Sequence, residues 1–252
     1  MLLSYRPLRT AALLTCLLTA AGAASAAAQY VAVGSQLPRF GLLKEGSHRY
    51  LRFIRTADSN TPIDIWQRDI RFENGRMQIR QRWDAIAPVP SVKQIDSSFE
   101  IGTFRPLTHE RVTTKEGKRV VEGFTFAPTR ITGLPNLAEN TQKDIAVTSP
   151  EGTFNFETDI ELLQALPLAM GYEAEINFYH PGSGAPSRYT FKVVGSELVA
   201  GPAGPVDCWL LTTDYNKAGY IAKFWFAKGS QLMVRNEGLM QDGRLLVKTL
   251  ID

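Results

Sequence analysis

Three observations predict a mainly β fold: an antiparallel meander curved into a barrel or half-barrel, with one short α-helix. From Ser187 to Ile251 apolar residues return at every second position through five segments, the spacing of strands with one covered face. Gly and Pro punctuate those segments at Gly195, at Gly201-Pro202-Ala203-Gly204-Pro205, and at Gly219, Gly229 and Gly243, where turns are expected. Helical spacing recurs in one stretch alone, near Ile160. A dozen or so strands seldom lie flat, so a sheet of this size is expected to curl.

Residues 1–28 have the anatomy of a secretory signal. Arg6 and Arg9 form the positive region, Ala11 to Ala21 the apolar run, and Ala24-Ser25-Ala26 the small-x-small pattern, with cleavage near Ala26 or Ala28. Leu13-Leu14-Thr15-Cys16 loosely resembles a lipidation box, but Thr15 stands where a smaller residue is usual. Residues 29–252 then read as a single β-rich domain, exported to the periplasm or beyond. Gln29 to Gly46 is weakly patterned and is expected to lie over the sheet.

Strands are predicted at Arg49–Arg55 and Ile63–Arg71, followed by an Asn74-Gly75 hairpin turn, both residues of which tolerate positive φ. The return strand points Met77, Ile79, Gln81 and Trp83 one way and Gln78, Arg80, Arg82 and Asp84 the other. Val92–Ile101, Phe104–Thr113 and Arg119–Phe126 continue the meander, with Glu116-Gly117 as a turn. Pro128 to Thr141 reads as a loop, and Ile145–Thr148 with Thr153–Phe156 as a short hairpin. Thr158 and Glu161 have capping-box spacing, and Ile160, Leu163 and Leu166 form an apolar stripe that Pro167 ends. Glu173–Tyr179, Tyr189–Val194, Val206–Tyr215, Tyr220–Ala227, Leu232–Asn236 and Arg244–Leu250 complete the strands.

Val193-Val194-Gly195-Ser196-Glu197, Pro202-Ala203-Gly204 and Asp207-Cys208-Trp209 resemble a bacterial secreted family, domain of unknown function 3108. Lys223 to Lys228, Gln231 to Arg235 and the Phe156–Leu168 helix with its Leu166-Pro167-Leu168 ending fit the same pattern. The resemblance covers roughly Gly46 to Leu250, although Pro205-Val206 stands where a Thr-Phe pair is more usual. It implies an exported, β-rich envelope protein and carries no catalytic residues.

Composition excludes some functions. The formal charge is +3, and without Arg6 and Arg9 it is +1, far from the basic excess of a nucleic-acid binder. Cys208 alone would follow the signal, so no internal disulfide is expected; mid-strand between Val206 and Leu210, it reads as a buried apolar thiol. Charged outward faces (Arg80 and Arg82; Glu173 and Glu175) argue against a membrane-spanning barrel. His48, His109 and His180 lie far apart without metal-ligand spacing and read as surface or loop histidines, so neither metal nor cofactor is expected.

Glu173 and Glu175 share a strand face, where pairing with Lys192 is favoured over acid–base catalysis. Arg49, Arg52, Arg55, Arg68, Arg71, Arg76, Arg80 and Arg82 are expected to pair with acids across strands, a polyanion-binding surface being the alternative. The C-terminal strands supply the candidate ligand-binding residues. Parity groups Trp209, Trp225, Lys192, Lys223 and Arg235 on one face with Leu211 and Met233, opposite a greasier face containing Cys208, Phe224 and Phe226. Rings interleaved with cations suit an amphiphile with an anionic head, unless the helix or the 29–46 segment packs there. The sequence therefore supports a non-catalytic envelope protein binding an apolar or amphiphilic, lipid-like ligand in a curved sheet. The alternatives are a module docking an envelope protein or polymer, and a carboxylate-dependent hydrolase.

Overall fold

The computed structural model describes residues 27–86 and 88–252. The signal predicted at 1–28 and the lipidation box at Cys16 lie outside those residues, apart from Ala27 and Ala28. The N-terminal half supplies β1 (Gln29–Val31), β2 (Gly46–Arg55), β3 (Asn60–Glu73), β4 (Arg76–Ala85), β5 (Ser91–Glu100), β6 (Pro106–Lys115), β7 (Lys118–Ala127), β8 (Arg130–Gly133) and β9 (Ala146–Thr148). After β10 (Phe154–Asn155) come a 3-10 turn, Phe156–Thr158, and α1 (Asp159–Gln164). The C-terminal half is β11 (Glu173–Tyr179), β12 (Ser187–Gly201), β13 (Gly204–Thr213), β14 (Ala222–Ala227), β15 (Met233–Leu239) and β16 (Leu245–Leu250).

Two antiparallel meanders, β2 to β9 and β11 to β16, are joined where the last strand meets the first long one, Leu250 opposite Tyr50 and Lys248 opposite Arg52. β1 and β10 both add to the free edge of β11 in parallel. No ladder connects β9 to β11 among the described residues, so the sheet is an open, barrel-like coil. Its ends are drawn together by a tight turn: Thr153 Oγ1 donates to the Asn177 carbonyl and Asn177 Nδ2 donates to the Gly152 carbonyl. Phe124, Phe126, Ile131 and Tyr179 pack into a small cluster across the same gap.

The concave side holds the core, and α1 lies within it. Ile160, Leu162 and Leu163 are buried against Met77, Ile79, Phe99, Phe178, Phe191 and Phe224. A helix of six residues cannot persist in water by itself. Packing and two polar fastenings hold it. Arg68 on β3 grips the Glu161 carboxylate with Nε and a terminal nitrogen, while its other terminal nitrogen donates to Gln81 Oε1 at 2.8 Å. At the far end Gln231 Nε2 donates to the Gln164 and Leu166 carbonyls, both at 2.6 Å.

Several sequence expectations need correction. The Thr158–Glu161 capping box does not form, because Glu161 is taken by Arg68 and the Thr158 hydroxyl donates to the Asn155 carbonyl. β9 and the Thr153–Phe156 segment are not a hairpin; β9 pairs with β8, a strand inside the supposed 128–141 loop, and β10 joins β11. The 29–46 segment supplies β1 and buries Leu37 and Leu43 in the core. Gly195 is no turn: Val194 is an extra residue in a bulge, so β12 runs on to Gly201. The Asn74-Gly75 turn does form, with φ of 52° and 71°.

Two positions test this architecture. A Cβ on Gly133 would lie 2.4 Å from the Gln142 carbonyl oxygen and 2.5 Å from that of Lys143, and backbone cannot yield easily. Gly133→Ala is expected to lower stability by about 1–3 kcal/mol in urea denaturation. Gly229→Ala, with open space around it, should leave the midpoint almost unchanged.

Candidate functional site

The concave side opens at one end of the coil into a cleft of about 570 Å³, within the usual range for small-molecule sites. Its aromatic wall is built by three loops. Phe156 comes from the 3-10 turn, His180 from the connection after β11, and Tyr215 and Tyr220 from the β13–β14 connection, with Tyr189 of β12 between them. Phe156 lies against His180 at 3.7 Å between ring centres and against Tyr215 at 5.5 Å; Tyr189 and Tyr215 meet edge to face at 5.4 Å. Tyr215 and Asn216 both sit at positive φ, uncommon for such residues. The conformation is held by local bonds: Thr213 Oγ1 accepts from the Tyr215 N–H, Asp214 Oδ1 from the Asn216 N–H, and Asn216 Nδ2 donates to the Arg188 carbonyl.

The opposite wall carries charge over indole rings. Trp66 and Trp83 are cross-strand partners on β3 and β4, stacked at 5.3 Å. Across β15, β16, β2 and β3 runs a lateral row, Asn236, Lys248, Arg52 and Asp64. Arg52 Nε donates to Asp64 Oδ1 at 2.6 Å, and Lys248 Nζ stands 5.2 Å from the centre of the Trp66 ring. Asp159, at the start of α1, faces into the same cleft. Burial pushes the Lys248 ammonium down to about 8, against the pull of Asp159, and burial raises Asp159 to about 6.

At the back of the cleft, Glu157 ties strands together. Its Oε1 accepts from Lys93 Nζ at 3.0 Å and from Arg111 at 2.9 Å, and Arg111 also donates to Glu122 Oε2 at 2.7 Å. His109 Nε2 lies 2.9 Å from Glu157 Oε2, close but off the hydrogen-bond line. Burial alone would raise the Glu157 pKa; the His109 contact and the Lys93 and Arg111 charges overcome it and hold the carboxyl well below its usual range. Asn155 Oδ1 accepts from the Glu157 N–H, so its Nδ2 is the group that faces His109 Nδ1, at 2.9 Å.

Ser97 Oγ also lies 2.8 Å from His109 Nδ1, giving a serine, histidine and carboxylate in series. The resemblance to a hydrolytic triad ends there. Ser97 is fully buried and outside the cleft, and Asn155 competes for the same ring nitrogen.

The candidate residues from the C-terminal strands are not brought together. β13 aligns on β14 with Trp209 opposite Phe226 and Leu210 opposite Trp225. Trp209 therefore turns inward with Leu211, Phe224 and Phe226, and Trp225 turns outward with Cys208 and Leu210. The single face assigned to both indoles is thus wrong. A second bulge, with Val234 extra between Met233 and Arg235, puts Met233 inside and Arg235 outside. Arg235 lies 5.5 Å from the Trp225 ring centre, Trp225 Nε1 donates to Glu197 at 2.8 Å, Lys192 pairs with Glu173 at 3.1 Å, and Lys223 is exposed. None of the five lines the cleft.

Other residues fall as the sequence suggested or need revision. Glu175 pairs with Arg188 at 2.8 Å, also away from the cleft. Arg49, Arg52, Arg55, Arg68, Arg80 and Arg82 all have acidic partners. Cys208 is buried, its thiol pushed up to about 11 by burial and then by Asp207. His109 is not a surface histidine but a buried one; its strand position faces the interior, opposite Ser97 and Phe124. Sequence spacing could not find the Glu157–His109 contact, since the whole path from β6 to β10 separates the two.

An open, mostly antiparallel, barrel-like sheet curled around a short helix, with a mixed aromatic and charged cleft, is the class of protein these features define. The chain belongs to the protein family of unknown function DUF3108, whose profile matches residues 45–246. It is similar in fold to the β-barrel-like protein of domain of unknown function DUF1849 from Brucella abortus, a crystal structure. That likeness has a TM-score of 0.51 at 11% identity and covers 82% of this chain and 95% of the other. No curated protein matches the chain. Among the described residues, no helix is long and apolar enough to cross a membrane, and no cluster of His, Cys, Asp and Glu is placed to hold a metal ion.

The Glu157 cluster predicts an acid limb. A carboxylate held low in the folded state adds stability above its ordinary pKa of 4.5 and loses it as pH falls further. Glu157→Gln should therefore be less stable than the parent at pH 7, with the gap narrowing below pH 4.5 in urea melts collected across pH.

Proposed function

We propose that this is an exported, non-catalytic envelope protein that holds an amphiphilic, lipid-like ligand in the concave cleft. Export rests on the signal-like residues 1–28, and the envelope assignment on the family resemblance. The observation that carries the ligand reading is the division of the cleft into two walls. One presents ring edges, Phe156, Tyr189, Tyr215 and Tyr220, and the other an amine with no ion-pair partner among the described residues. Rings give apolar area with little loss of side-chain freedom, and the facing polar groups fix orientation. The hydrolase alternative finds little support, because Glu173 and Glu175 are paired with Lys192 and Arg188 outside the cleft. The polymer-docking alternative is weakened in the same way, since six of the eight strand arginines, all but Arg71 and Arg76, already have acidic partners among the described residues.

Trp66 and Trp83 line the cleft and report its occupancy. Titration with laurate or lysophosphatidylcholine should shift tryptophan emission saturably, and Trp83→Phe should remove most of the change. A flat titration, together with no lipid extracted from protein purified out of its host envelope, would end this reading.

A further inference from the structure

The cations of the cleft differ in the partners that already hold them. Arg52 is held by Asp64, and Arg111 by Glu122 and Glu157. Lys217 is exposed at the rim. Lys248 has no ion-pair partner among the described residues, although it lies inside the cleft over Trp66. Asp159 lines the same space and also lacks an ion pair among those residues; its Oδ1 accepts from the Ile160 N–H at 2.9 Å. Both side chains are half-buried and meet water through the open cleft, and a bound oxyanion would replace that water on the ammonium with a charge-assisted bond.

We infer that Lys248 is the seat for a single oxyanion head on an alkyl or aryl chain, and that Asp159 competes with that head for the ammonium. The inference rests on the amphiphile reading above and adds the chemistry of the head. The chain lies along the Tyr189, Tyr215 and Tyr220 wall, and the head reaches the Asn236–Lys248–Arg52 row.

Competition makes the seat sensitive to pH. Asp159 faces Lys248 from β16, Arg68 from β3, Glu161 from its own helix and Tyr215 from the β13–β14 connection. Lys248 faces Asp159, Arg52 from β2, and Arg68 and Asp64 from β3. Below about 6 Asp159 is neutral and the ammonium is left to the ligand; between about 6 and 8 both groups are charged; above about 8 the amine is neutral. Affinity for an oxyanion therefore falls as pH rises through each value.

The test uses calorimetric titration of the purified protein with decanesulfonate, whose charge is fixed, neutral decyl maltoside, and chain-free methanesulfonate. Lys248→Met should weaken decanesulfonate about tenfold at pH 7, the scale of one charge-assisted bond, and leave decyl maltoside unchanged. Asp159→Asn should tighten decanesulfonate at pH 7 and remove the step near pH 6, a gain that misfolding cannot produce. Equal loss of both decyl probes in Lys248→Met, no loss of either, or weaker binding in Asp159→Asn would overturn the inference and leave the amphiphile reading standing. Methanesulfonate binding that depends on Lys248, with neither decyl probe bound, would keep the seat and overturn the amphiphile reading. No binding of any probe would overturn both.

Discussion

The grip of Arg68 on Glu161 is the constraint on which the rest of this structure depends. It joins the third strand to a helix too short to form unaided, and it does so inside the sheet. Both partners are almost fully buried, so neither can be lost singly without leaving a bare charge in a place of low polarity. Gln81 Oε1 accepts from both Arg68 and the Trp66 indole, carrying the same fastening to β4. With α1 fixed, the 3-10 turn before it projects Phe156 and Glu157 toward opposite parts of the concave side. The cleft is the space left between that turn and the β16–β2 junction.

The open coil also explains how polar groups come to line its interior. A closed small barrel fills itself with apolar side chains. Here the helix fills one end with Ile160, Leu162 and Leu163, and the other end is left to rings and ions. Three of the charges admitted there, Arg52, Arg111 and Glu157, are matched by opposite charges, while Asp159, Lys217 and Lys248 have no ion pair among the described residues. Glu157 alone receives Lys93 and Arg111 on one oxygen, with His109 close beside the other. Such networks fix one arrangement of strands around the helix more than they add net stability.

The strand rhythm, the hairpin at Asn74-Gly75 and the inward stripe of Ile160, Leu163 and Leu166 were legible because each is local: a period of two, a pair tolerating positive φ, a period near 3.6. Register between strands was not local, and there the reading failed. Trp209 and Trp225 part company because β13 aligns on β14 with Trp209 opposite Phe226, a register that residue numbers alone do not give, and extra residues at Val194 and Val234 flip the parity along β12 and β15. Thr158 and Glu161 had the spacing of a capping box, but an arginine 93 positions away takes the carboxylate from the local N–H. The cleft was invisible for the same reason. Its walls come from β2, β3, β4, β6, β12, β14, β15, β16, the start of α1 and the connections between them, and no window of sequence contains more than a fragment of it.

The segment from Glu157 to Glu161 shows how one stretch can place three carboxylates in three different settings. Residues 157 and 161 project onto neighbouring strands, where Arg111 with Lys93, and Arg68, are already waiting at matching positions. Asp159 lies between them and turns toward the cleft, where the facing β16 position holds a lysine too distant for an ion pair. Burial acts on Glu157 and Asp159 alike, yet the first is held low and the second is raised, because only Glu157 has cations within bonding distance. A pair of side chains serving only as filler would be apolar at 159 and at 248, as Leu250 is one inward step along the same strand. Keeping an acid and an amine there, beyond ion-pair distance and half-exposed to the cleft, leaves this part of the interior with two charged groups facing the space a bound molecule would enter.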